Sequence, residues 1–376
     1  MTTTETMEMP YLYLLHRTDG IGAKTIRSLM QAFGNARAVC HATEKELSHF
    51  LSERQLNEFL EERKKNDPEK VYEALVKNRI RFITAQDGDY PQRLRNIPDP
   101  PYALYVRGEL PGEDFPTVAV VGARICSEYG RYMARQFGTE LAQAGIRVVS
   151  GMAMGVDSIA QRACLRAGGR SYAVLGCGAD VCYPPENRDL YDQLTENGGV
   201  ISEYIPGTEP KRNLFPARNR IIAGLADAVL VVEARKKSGT LITVDMALEQ
   251  GRDVYALPGR ATDRLSDGCN HLLRQGAMIA TSAADIIEGF FGVREDPVTY
   301  AREKSQPAFS LSENERSVLD VLDADPKAVS EIEYLLTQRQ TVMPPQELMC
   351  LLVNMALKGL IEQEGAFFAK PCASHV

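Results

Sequence analysis

The sequence predicts an α/β protein with additions at both ends, and three observations lead to this prediction. Apolar, β-rich runs alternate with stretches of helical periodicity between residues 115 and 290. Helical periodicity alone fills residues 10–80, and short amphipathic helices followed by a glycine-containing β pattern occupy residues 310–376. Because alternating strands and helices are typical of a parallel sheet covered by helices, the middle of the chain is expected to form the main domain.

The first part, residues 1–80, is predicted to be a small helical domain of the SAM or helix-hairpin-helix type. Gly20-Ile21-Gly22 stands just before apolar positions at helical spacing. Glycines there permit a tight turn with outward-facing backbone N–H groups, the arrangement by which helix-hairpin-helix modules grip a nucleic-acid phosphate. A plain connection between two helices of a bundle explains the same residues, and both interpretations stay open.

Residues 81–290 are predicted to form the sheet domain, which begins with a proline-rich extension. Prolines between residues 81 and 113 are too many for helix interiors, whereas Arg81–Thr84 and Ala103–Val106 have the composition of short strands. Seven further runs are apolar throughout, as strands covered on both faces must be. They are Thr117–Val121, Arg147–Val149, Tyr172–Leu175, Val200–Ile201, Ala228–Val232, Val254–Leu257 and Met278–Ala280. The predicted fold class is therefore an extended Rossmann-like, doubly wound, mostly parallel sheet.

A polar segment over residues 291–309 is predicted to be a linker, and residues 310–376 a winged-helix-like domain. The latter has the pattern of three helices followed by a small β-hairpin. Residues 291–376 hold 8 Lys or Arg against 13 Asp or Glu, and this acidic excess disfavours phosphate binding. We expect a protein-interaction or regulatory role for this region.

The formal net charge of −7 argues against a nucleic-acid partner only if the charge is spread evenly along the chain. It is not, because residues 115–290 contain 19 Lys or Arg and 19 Asp or Glu. The acidic excess lies entirely in the flanking regions. A nucleic-acid site in the central domain therefore remains compatible with the composition.

Other features exclude several classes of protein. No apolar run approaches the roughly 20 residues that span a bilayer, and the Thr- and Glu-rich start has no signal-peptide pattern. The 8 cysteines and 5 histidines are scattered, without the spacing of a zinc site. We expect a cytoplasmic protein with reduced thiols, no metal and no membrane association.

Small residues follow several of the predicted strands where these enter a helix. The loops begin at Gly122, Ser150, Gly176 and Glu233, and the last of them ends in Ser238-Gly239-Thr240. In an open α/β sheet, ligands bind outside the carboxyl ends of the strands, and helix N-termini with small side chains are anion sites. Several such loops side by side predict a row of phosphate sites.

The segment from Lys211 to Arg220 has four cations, two asparagines, one aromatic residue and no acid. Cations that follow a backbone, together with an aromatic ring that stacks on a base, are typical of single-strand recognition. The alternative is that these cations pair with Asp227, Glu233 or Glu249 inside the fold. We favour the internal pairing for Arg220, and DNA contact for Arg212 and Arg218.

The chemistry expected of an enzyme is missing from the sequence pattern. The first loop is Gly-Ala-Arg and not G-x-G-x-x-G, which disfavours a dinucleotide cofactor. Only His271 among the histidines falls within the sheet domain, so no Ser/His/Asp or Cys/His set is apparent. We expect neither catalysis nor a cofactor.

Taken together, these motifs closely resemble the DNA-processing protein A family, DprA, also called Smf. The motifs occur in family order over about residues 115–285. They are Val120-Val121-Gly122-Ala123-Arg124, Ser150-Gly151-Met152-Ala153-Met154-Gly155-Val156-Asp157, Phe215-Pro216-Ala217-Arg218-Asn219-Arg220-Ile221-Ile222-Ala223-Gly224-Leu225, Val231-Val232-Glu233-Ala234, Ser238-Gly239-Thr240-Leu241-Ile242-Thr243 and Pro258-Gly259.

The resemblance implies a non-enzymatic protein of natural transformation that coats incoming single-stranded DNA, protects it and helps load the RecA recombinase. It implies a homodimer formed through the Rossmann domain. Arg124 would clamp a phosphate, Phe215 would contact a base or sugar, and backbone N–H groups would bind neighbouring phosphates. Carried over by motif, the DNA-binding residues are Gly122, Arg124, Ser150, Gly151, Met152, Lys211, Arg212, Phe215, Arg218, Asn219, Ser238, Gly239 and Thr240.

Two rival functions differ from this expectation in identifiable residues. Nucleoside-monophosphate phosphoribohydrolases of the cytokinin-activating LOG type share the superfamily and carry P-G-G-x-G-T-x-x-E. Here the P-G-G is missing and Thr243 stands in place of the glutamate, so a carboxylate for an oxocarbenium-like transition state is absent. The other rival is a scaffold with a vestigial pocket, which would have no need of an acid-free run with Lys211, Arg212 and Arg218.

Overall fold

The computed structural model describes residues 3–291, 312–322, 327–339, 341, 343–357, 360–364 and 367–369. The chain forms two compact units, Met1–Ala301 and Arg302–Val376. The predicted linker over residues 291–309 lies outside the described residues except for Phe291, which ends a helix. The other domain boundaries stay predictions.

The N-terminal part of the first unit is helical, as its periodicity predicts. Asp67 accepts hydrogen bonds from the N–H groups of Glu69 and Lys70, and Pro68 follows it at the first helical position. Thr43 and Ser52 begin their helices with capping boxes. The helices are α1 (Thr3–Arg17), α2 (Ala23–Phe33), α3 (Ala36–His41), α4 (Glu44–Leu47), α5 (Glu53–Lys65) and α6 (Pro68–Lys77).

The turn between α1 and α2 contains the two predicted glycines. Gly20 has a φ of 76°, a conformation that glycine adopts without strain, and Ile21 is buried in the helical core. The carbonyl of Gly20 accepts a hydrogen bond of 2.7 Å from Gln55 Nε2, so the turn is fixed to α5.

A sheet of nine strands forms the centre of the first unit within the described residues. The strands are β1 (Arg81–Thr84), β2 (Ala103–Gly108), β3 (Thr117–Val121), β4 (Arg147–Ser150), β5 (Ser171–Val174), β6 (Gly198–Ser202), β7 (Ala228–Val231), β8 (Asp253–Ala256) and β9 (Met278–Ile279). Their order is β1-β2-β6-β5-β4-β3-β7-β8-β9. The pairs β1-β2 and β2-β6 are antiparallel, and all other pairs are parallel. The predicted doubly wound, mostly parallel sheet is confirmed.

Both faces of this sheet are buried, which explains why its strands are apolar at every position. Ala119 and Val121 belong to the core on one face, whereas Val118 and Val120 belong to the core on the other. The helices that cover the sheet are α7 (Gln92–Arg95), α8 (Glu128–Gln143), α9 (Val156–Arg166), α10 (Arg188–Glu196), α11 (Leu214–Leu225), α12 (Gly239–Glu249), α13 (Asp267–Arg274) and α14 (Ala283–Phe291), with a 3₁₀ turn at Pro185–Asn187.

Aromatic residues join the helical part to the antiparallel edge of the sheet. Tyr13 of α1 contacts Phe82 and Tyr105 with ring centroids 5.5 and 6.1 Å apart. Nδ1 of His16 lies 2.8 Å from the hydroxyl of Tyr105, and burial lowers the pKa of His16 to about 4. The N-terminal helices and the sheet therefore share one compact unit.

The described residues of the second unit include the three helices and the β-hairpin that the sequence predicts, with a further short strand between the first two helices. Its elements are α15 (Glu313–Val321), β10 (Lys327–Ala328), α16 (Val329–Gln338), α17 (Pro345–Leu357), β11 (Glu362–Glu364) and β12 (Phe367–Ala369). The three strands pair in the order β10-β12-β11, all antiparallel. Val318, Ile332, Leu352 and Phe368 are among the residues of its apolar core.

No helix in the described parts of the chain combines the length and the apolar character that crossing a membrane requires.

The half-buried imidazole of His16, whose pKa desolvation lowers, should make the stability of the first unit depend on pH. Its folded-state pKa of about 4 lies below the unfolded value of roughly 6.5, so the unfolded chain binds the proton first as the pH falls. The free energy of unfolding should decrease between pH 6.5 and pH 4, by at most about 1.4 kcal/mol per pH unit from this group. His16→Gln, which retains a hydrogen-bonding group for Tyr105, should lose this part of the pH dependence in urea titrations. Identical pH profiles of the two proteins would contradict the assignment.

Candidate nucleic-acid interface

An open cavity lies at the carboxyl ends of the central strands. From β3 the chain continues outward through β4 and β5 on one side, and β7 and β8 lie on the other side. Such a reversal of strand order leaves a crevice where ligands of doubly wound sheets bind. The cavity has a volume of about 620 Å³ and is lined by the loop after β3 and the first turns of α9, α11 and α12.

The loop after β3 places a cation at the rim of this cavity. A side chain at Gly122 would lie within 3 Å of Val156, so only glycine lets α9 pack against this loop. Arg124 is exposed, and its guanidinium carbon lies 5.8 Å from the ring centre of Phe215. Within the described residues it has neither a hydrogen bond nor an ion pair, so its charge is available to a ligand.

The basic segment before and in α11 divides into exposed and half-buried residues. Arg212 is exposed and lines the cavity, whereas Lys211 is exposed but lies outside the lining. Phe215 is half-buried in the lining and packs so closely on Gly176 that any side chain there would collide with its ring. Asn219 also lines the cavity. Sequence reasoning placed Arg212, Phe215 and Asn219 at one site, and the structure brings them together.

Arg218 lines the cavity, but the residue is only 5% exposed and its guanidinium bonds to the protein itself. Nη1 donates to the carbonyl of Gly151 at 3.2 Å and to the carbonyl of Val174, and Nε donates to Asn219 Oδ1 at 3.3 Å. Burial lowers the pKa of Arg218 to about 10, and Asp157 opposes this shift. Against the sequence expectation, this geometry favours a positioning role for Arg218 and not a DNA contact.

At the end of β4, the predicted phosphate contact of the Gly151 amide is wrong, whereas those of the Ser150 and Met152 amides stay predictions. The Ser150 side chain is fully buried and donates to the carbonyl of Val120 at 2.7 Å. The N–H of Gly151 donates to Asp157 Oδ2 at 3.1 Å, so it is not free for a phosphate. Met152 is fully buried too and lies outside the lining of the cavity. This loop shapes the cavity from beneath because the carboxylate of Asp157 occupies the place an anion would need.

The N-terminus of α12 opens into the cavity, as predicted. Ser238 caps the helix by accepting a hydrogen bond of 3.2 Å from the N–H of Thr240. The hydroxyl of Thr240 donates to the carbonyl of Gly122 at 3.2 Å, which ties this turn to the loop after β3. Gly239 is exposed, and the first turn contains no acidic residue. The positive end of the helix dipole therefore faces the cavity unopposed.

Arg220 is bound inside the fold, as the sequence analysis favoured, but its partners are different ones. It pairs with Glu203 at 2.6 Å and with Asp99 at 3.2 Å, and not with Asp227, Glu233 or Glu249. Glu233 instead accepts from the N–H of Ser127 at 2.9 Å and from the hydroxyl of Ser127. Distant parts of the chain supply these partners, which local sequence spacing does not reveal.

A family model described as DNA recombination-mediator protein A matches residues 81–291, which is more than half of the chain and contains the whole cavity. The chain belongs to this family. The resemblance noted from the sequence motifs is thereby confirmed.

Curated and solved members of the family agree with the assignment. The chain is similar to Protein Smf of Synechocystis sp., with 36% identity over 74% of this chain and 72% of the relative. It is also similar to the crystal structure of DNA processing protein A from Streptococcus pneumoniae, with a TM-score of 0.64, 36% identity and coverage of 74% of this chain and 96% of that one. A third similarity is to DNA processing protein A from Helicobacter pylori, solved for its single-stranded DNA binding mode, with a TM-score of 0.51, 31% identity and coverage of 56% and 95%.

Two residues of the cavity have no role in the expectations from the sequence. Asp157 was quoted only as part of a motif, yet it holds the Gly151 amide and faces Arg218. Burial raises the pKa of Asp157, and the nearby positive charge of Arg218 opposes this increase. Tyr183 lines the cavity with its ring centre 5.5 Å from that of Phe215. An aromatic residue before Pro184-Pro185 was the available signal, but nothing local connects it to Phe215.

The cavity carries a net positive charge. Its lining contains three arginines, Arg124, Arg212 and Arg218, and one acid, Asp157, which is buried and occupied. The two exposed arginines have no acidic partner among the described residues. An anion is therefore the ligand that this arrangement favours.

Removing the Arg218 guanidinium should destabilise this recombination-mediator fold. Arg218→Met keeps an apolar stem but leaves Asp157 without a nearby cation and two strand-end carbonyls without their donor, which should cost about 3–5 kcal/mol for a buried charge pair. The control Arg212→Ala removes an exposed arginine from the same helix region and should change stability by less than about 0.5 kcal/mol. Urea unfolding of both variants measures this, and equal stabilities would contradict the positioning role.

Proposed function

We propose that this protein binds single-stranded DNA in the strand-end cavity and acts as a non-enzymatic recombination mediator. The observation that carries the proposal is that two exposed arginines without ion pairs among the described residues, Arg124 and Arg212, line the same cavity as the half-buried ring of Phe215. Arginines supply charge to phosphates, and the ring supplies a face on which a base stacks. Family membership supports the same function.

The strand would contact both rims of the cavity. Arg124 and Arg212 bind phosphates, Lys211 binds the backbone just outside, and the N-terminal turn of α12 at Ser238, Gly239 and Thr240 receives a further phosphate. Phe215 stacks on a base, and Tyr183 next to it extends the aromatic face to a second one. Gly122 keeps the loop close enough to α9 for this, and Asn219 holds the Arg218 guanidinium in place.

Selectivity for single strands follows from the crevice itself. In a duplex the bases stack on one another, so no base face is available for stacking on the rings of Phe215 and Tyr183. Phosphate contacts alone would hold a duplex weakly, because the cavity offers few exposed cations. Binding should therefore depend on strandedness and little on sequence.

The finer biological role also belongs to the proposal. The protein protects incoming single strands from nucleases, helps load the RecA recombinase in natural transformation, acts as a homodimer through its Rossmann domain and works in the cytoplasm. Support comes from the family and from the binding mode named for the Helicobacter pylori relative. The acidic winged-helix-like unit would bind a protein partner and not DNA.

The alternative of a nucleoside-monophosphate phosphoribohydrolase finds little support in the lining of the cavity. Thr243 lines the cavity, buried, where that enzyme class carries its glutamate. The acid of the lining, Asp157, accepts a hydrogen bond from the Gly151 amide and lies close to Arg218. Glycosidic cleavage uses positioned carboxylates, and none faces this space free of internal partners.

Binding should be tight for oligo-dT, weak for a duplex of equal length and steeply dependent on salt. Log affinity falls as log salt rises. Removing one cation that binds a phosphate should make this negative slope less steep, by about 0.7. Arg124→Ala and Arg212→Ala should each weaken binding of all sequences alike and reduce this slope. Mobility shifts at two salt concentrations measure both effects.

Lys70→Ala is the matched control for these variants, because Lys70 is an exposed cation on α6 and outside the cavity. It should bind like the unaltered protein. Unchanged affinity and slope in both cavity variants would overturn the site assignment, and equal affinity for duplex would overturn the selectivity.

The protein should release no free base from AMP or CMP above the background rate, since the cavity lacks a carboxylate free of internal partners. Chromatography of the nucleotides after prolonged incubation tests this. Hydrolysis that disappears on Thr243→Ala or Arg124→Ala would refute the non-enzymatic assignment.

A further inference from the structure

Five exposed cations lie beside the cavity on the loops that follow β7 and β8. We call them the basic strip. They are Arg235, Lys236, Lys237, Arg260 and Arg264. None of them lines the cavity, and the sequence analysis assigned none of them a role.

Backbone hydrogen bonds join the two loops into one surface. The N–H of Ala234 donates to the carbonyl of Leu265 at 2.8 Å. Arg235 directly follows Ala234 and Arg264 directly precedes Leu265, so this bond holds both arginines near each other along the backbone. The N–H of Gly268 donates to the carbonyl of Ala234, also at 2.8 Å. The cations therefore belong to one continuous face at the strand ends.

The loop after β8 is held closed at its base. Asn270 Oδ1 accepts from the N–H of Gly259 at 3.3 Å, and Asn270 Nδ2 donates to the Gly259 carbonyl at 3.0 Å. The N–H of Asp263 donates to the carbonyl of Arg260 at 3.0 Å, which makes a turn between two of the strip residues. The cations therefore lie on a backbone that is already ordered. Binding a ligand there would cost little backbone conformational entropy.

The charge of the basic strip is not neutralised by the fold. Within the described residues, none of the five side chains has an ion pair or a hydrogen bond. The nearest acids along the chain are engaged, because Glu233 accepts from Ser127 and Asp263 Oδ1 accepts from the N–H of Leu265 at 2.9 Å. By contrast, the buried Arg93 and the half-buried Arg220 of the same unit pair with acids. Five unopposed cations on one face are the pattern expected for an extended polyanion.

The strip continues directly from the cavity. Lys237 precedes Ser238, which lines the cavity, and the loop after β7 leads from there to the loop after β8. Neither loop contains an aromatic residue. The basic strip can therefore bind phosphates but has no ring on which a base could stack.

We propose that the basic strip binds the phosphates of the single-stranded DNA after the strand leaves the cavity on the α12 side. The strand crosses the ends of β7 and β8, with its bases turned to solvent. This proposal rests on the proposed function, which supplies the strand, and adds a second contact region for its backbone. The protein then covers more nucleotides than the cavity can hold, and the added contacts are independent of sequence.

Oligonucleotides of two lengths separate the strip from the cavity. An oligo-dT of about 6 nucleotides occupies the cavity alone, whereas one of about 25 also reaches the strip. The test variant is Arg260→Ala/Arg264→Ala in the full chain. The matched control is Lys70→Ala/Lys77→Ala, which removes two exposed cations from α6. Fluorescence anisotropy at several salt concentrations gives affinity and salt slope for each pair.

The test variant should bind the long oligonucleotide several-fold more weakly, with a salt slope lower by about 1.4, which is two phosphates at about 0.7 each. Its affinity for the short oligonucleotide should equal that of the unaltered protein, as should its thermal unfolding. The control variant should be unchanged for both lengths.

Equal binding of the long oligonucleotide by the test variant and the unaltered protein would overturn the strip while leaving the cavity assignment intact. A decrease in affinity that is the same for both lengths would also overturn it, because the cations would then act only through the general field. If the unaltered protein bound neither length, the proposed function itself would fail, and the strip with it.

Discussion

The buried guanidinium of Arg218 is the interaction on which the candidate site depends. It joins the carbonyls at the ends of β4 and β5 and lies beside Asp157, whose carboxylate holds the Gly151 amide. Two strand ends, the first turn of α9 and the body of α11 are thereby fixed to one another. Gly151 has no room for a side chain between these charged groups. The Arg218 network therefore fixes the floor of the cavity in the absence of a ligand, as a preorganised anion site requires.

Cations of the first unit fall into two groups with different tasks. Arg218 and Arg220 are bonded to carbonyls or acids and stabilise the positions of helices and strand ends. Arg124 and Arg212 are exposed and unpaired within the described residues. The overall charge of −7 therefore says little about the surface at the strand ends, where these unpaired cations are exposed. Cations that have no partner within the folded protein are the ones available to bind a ligand.

The sheet was predictable because strands buried on both faces must be apolar throughout, and these runs need no tertiary information. The cavity was predictable in outline, since Arg124, Arg212, Phe215 and the N-terminus of α12 follow strand ends or begin helices. The error at Gly151 arose because a glycine-rich turn has the same pattern whether its amides face an anion or the protein's own Asp157. Burial of Arg218 and the approach of Tyr183 to Phe215 are decided by packing between distant segments, which spacing cannot show.

A crystal structure of the protein with bound oligo-dT would test the central claim most directly. The account predicts phosphates at hydrogen-bonding distance from Arg124 and Arg212, a base against Phe215, and Arg218 still bonded to the carbonyls of Gly151 and Val174. A strand bound elsewhere with the cavity empty would contradict it. An Arg218 side chain turned out of its network onto a phosphate would contradict the separation of positioning from binding cations.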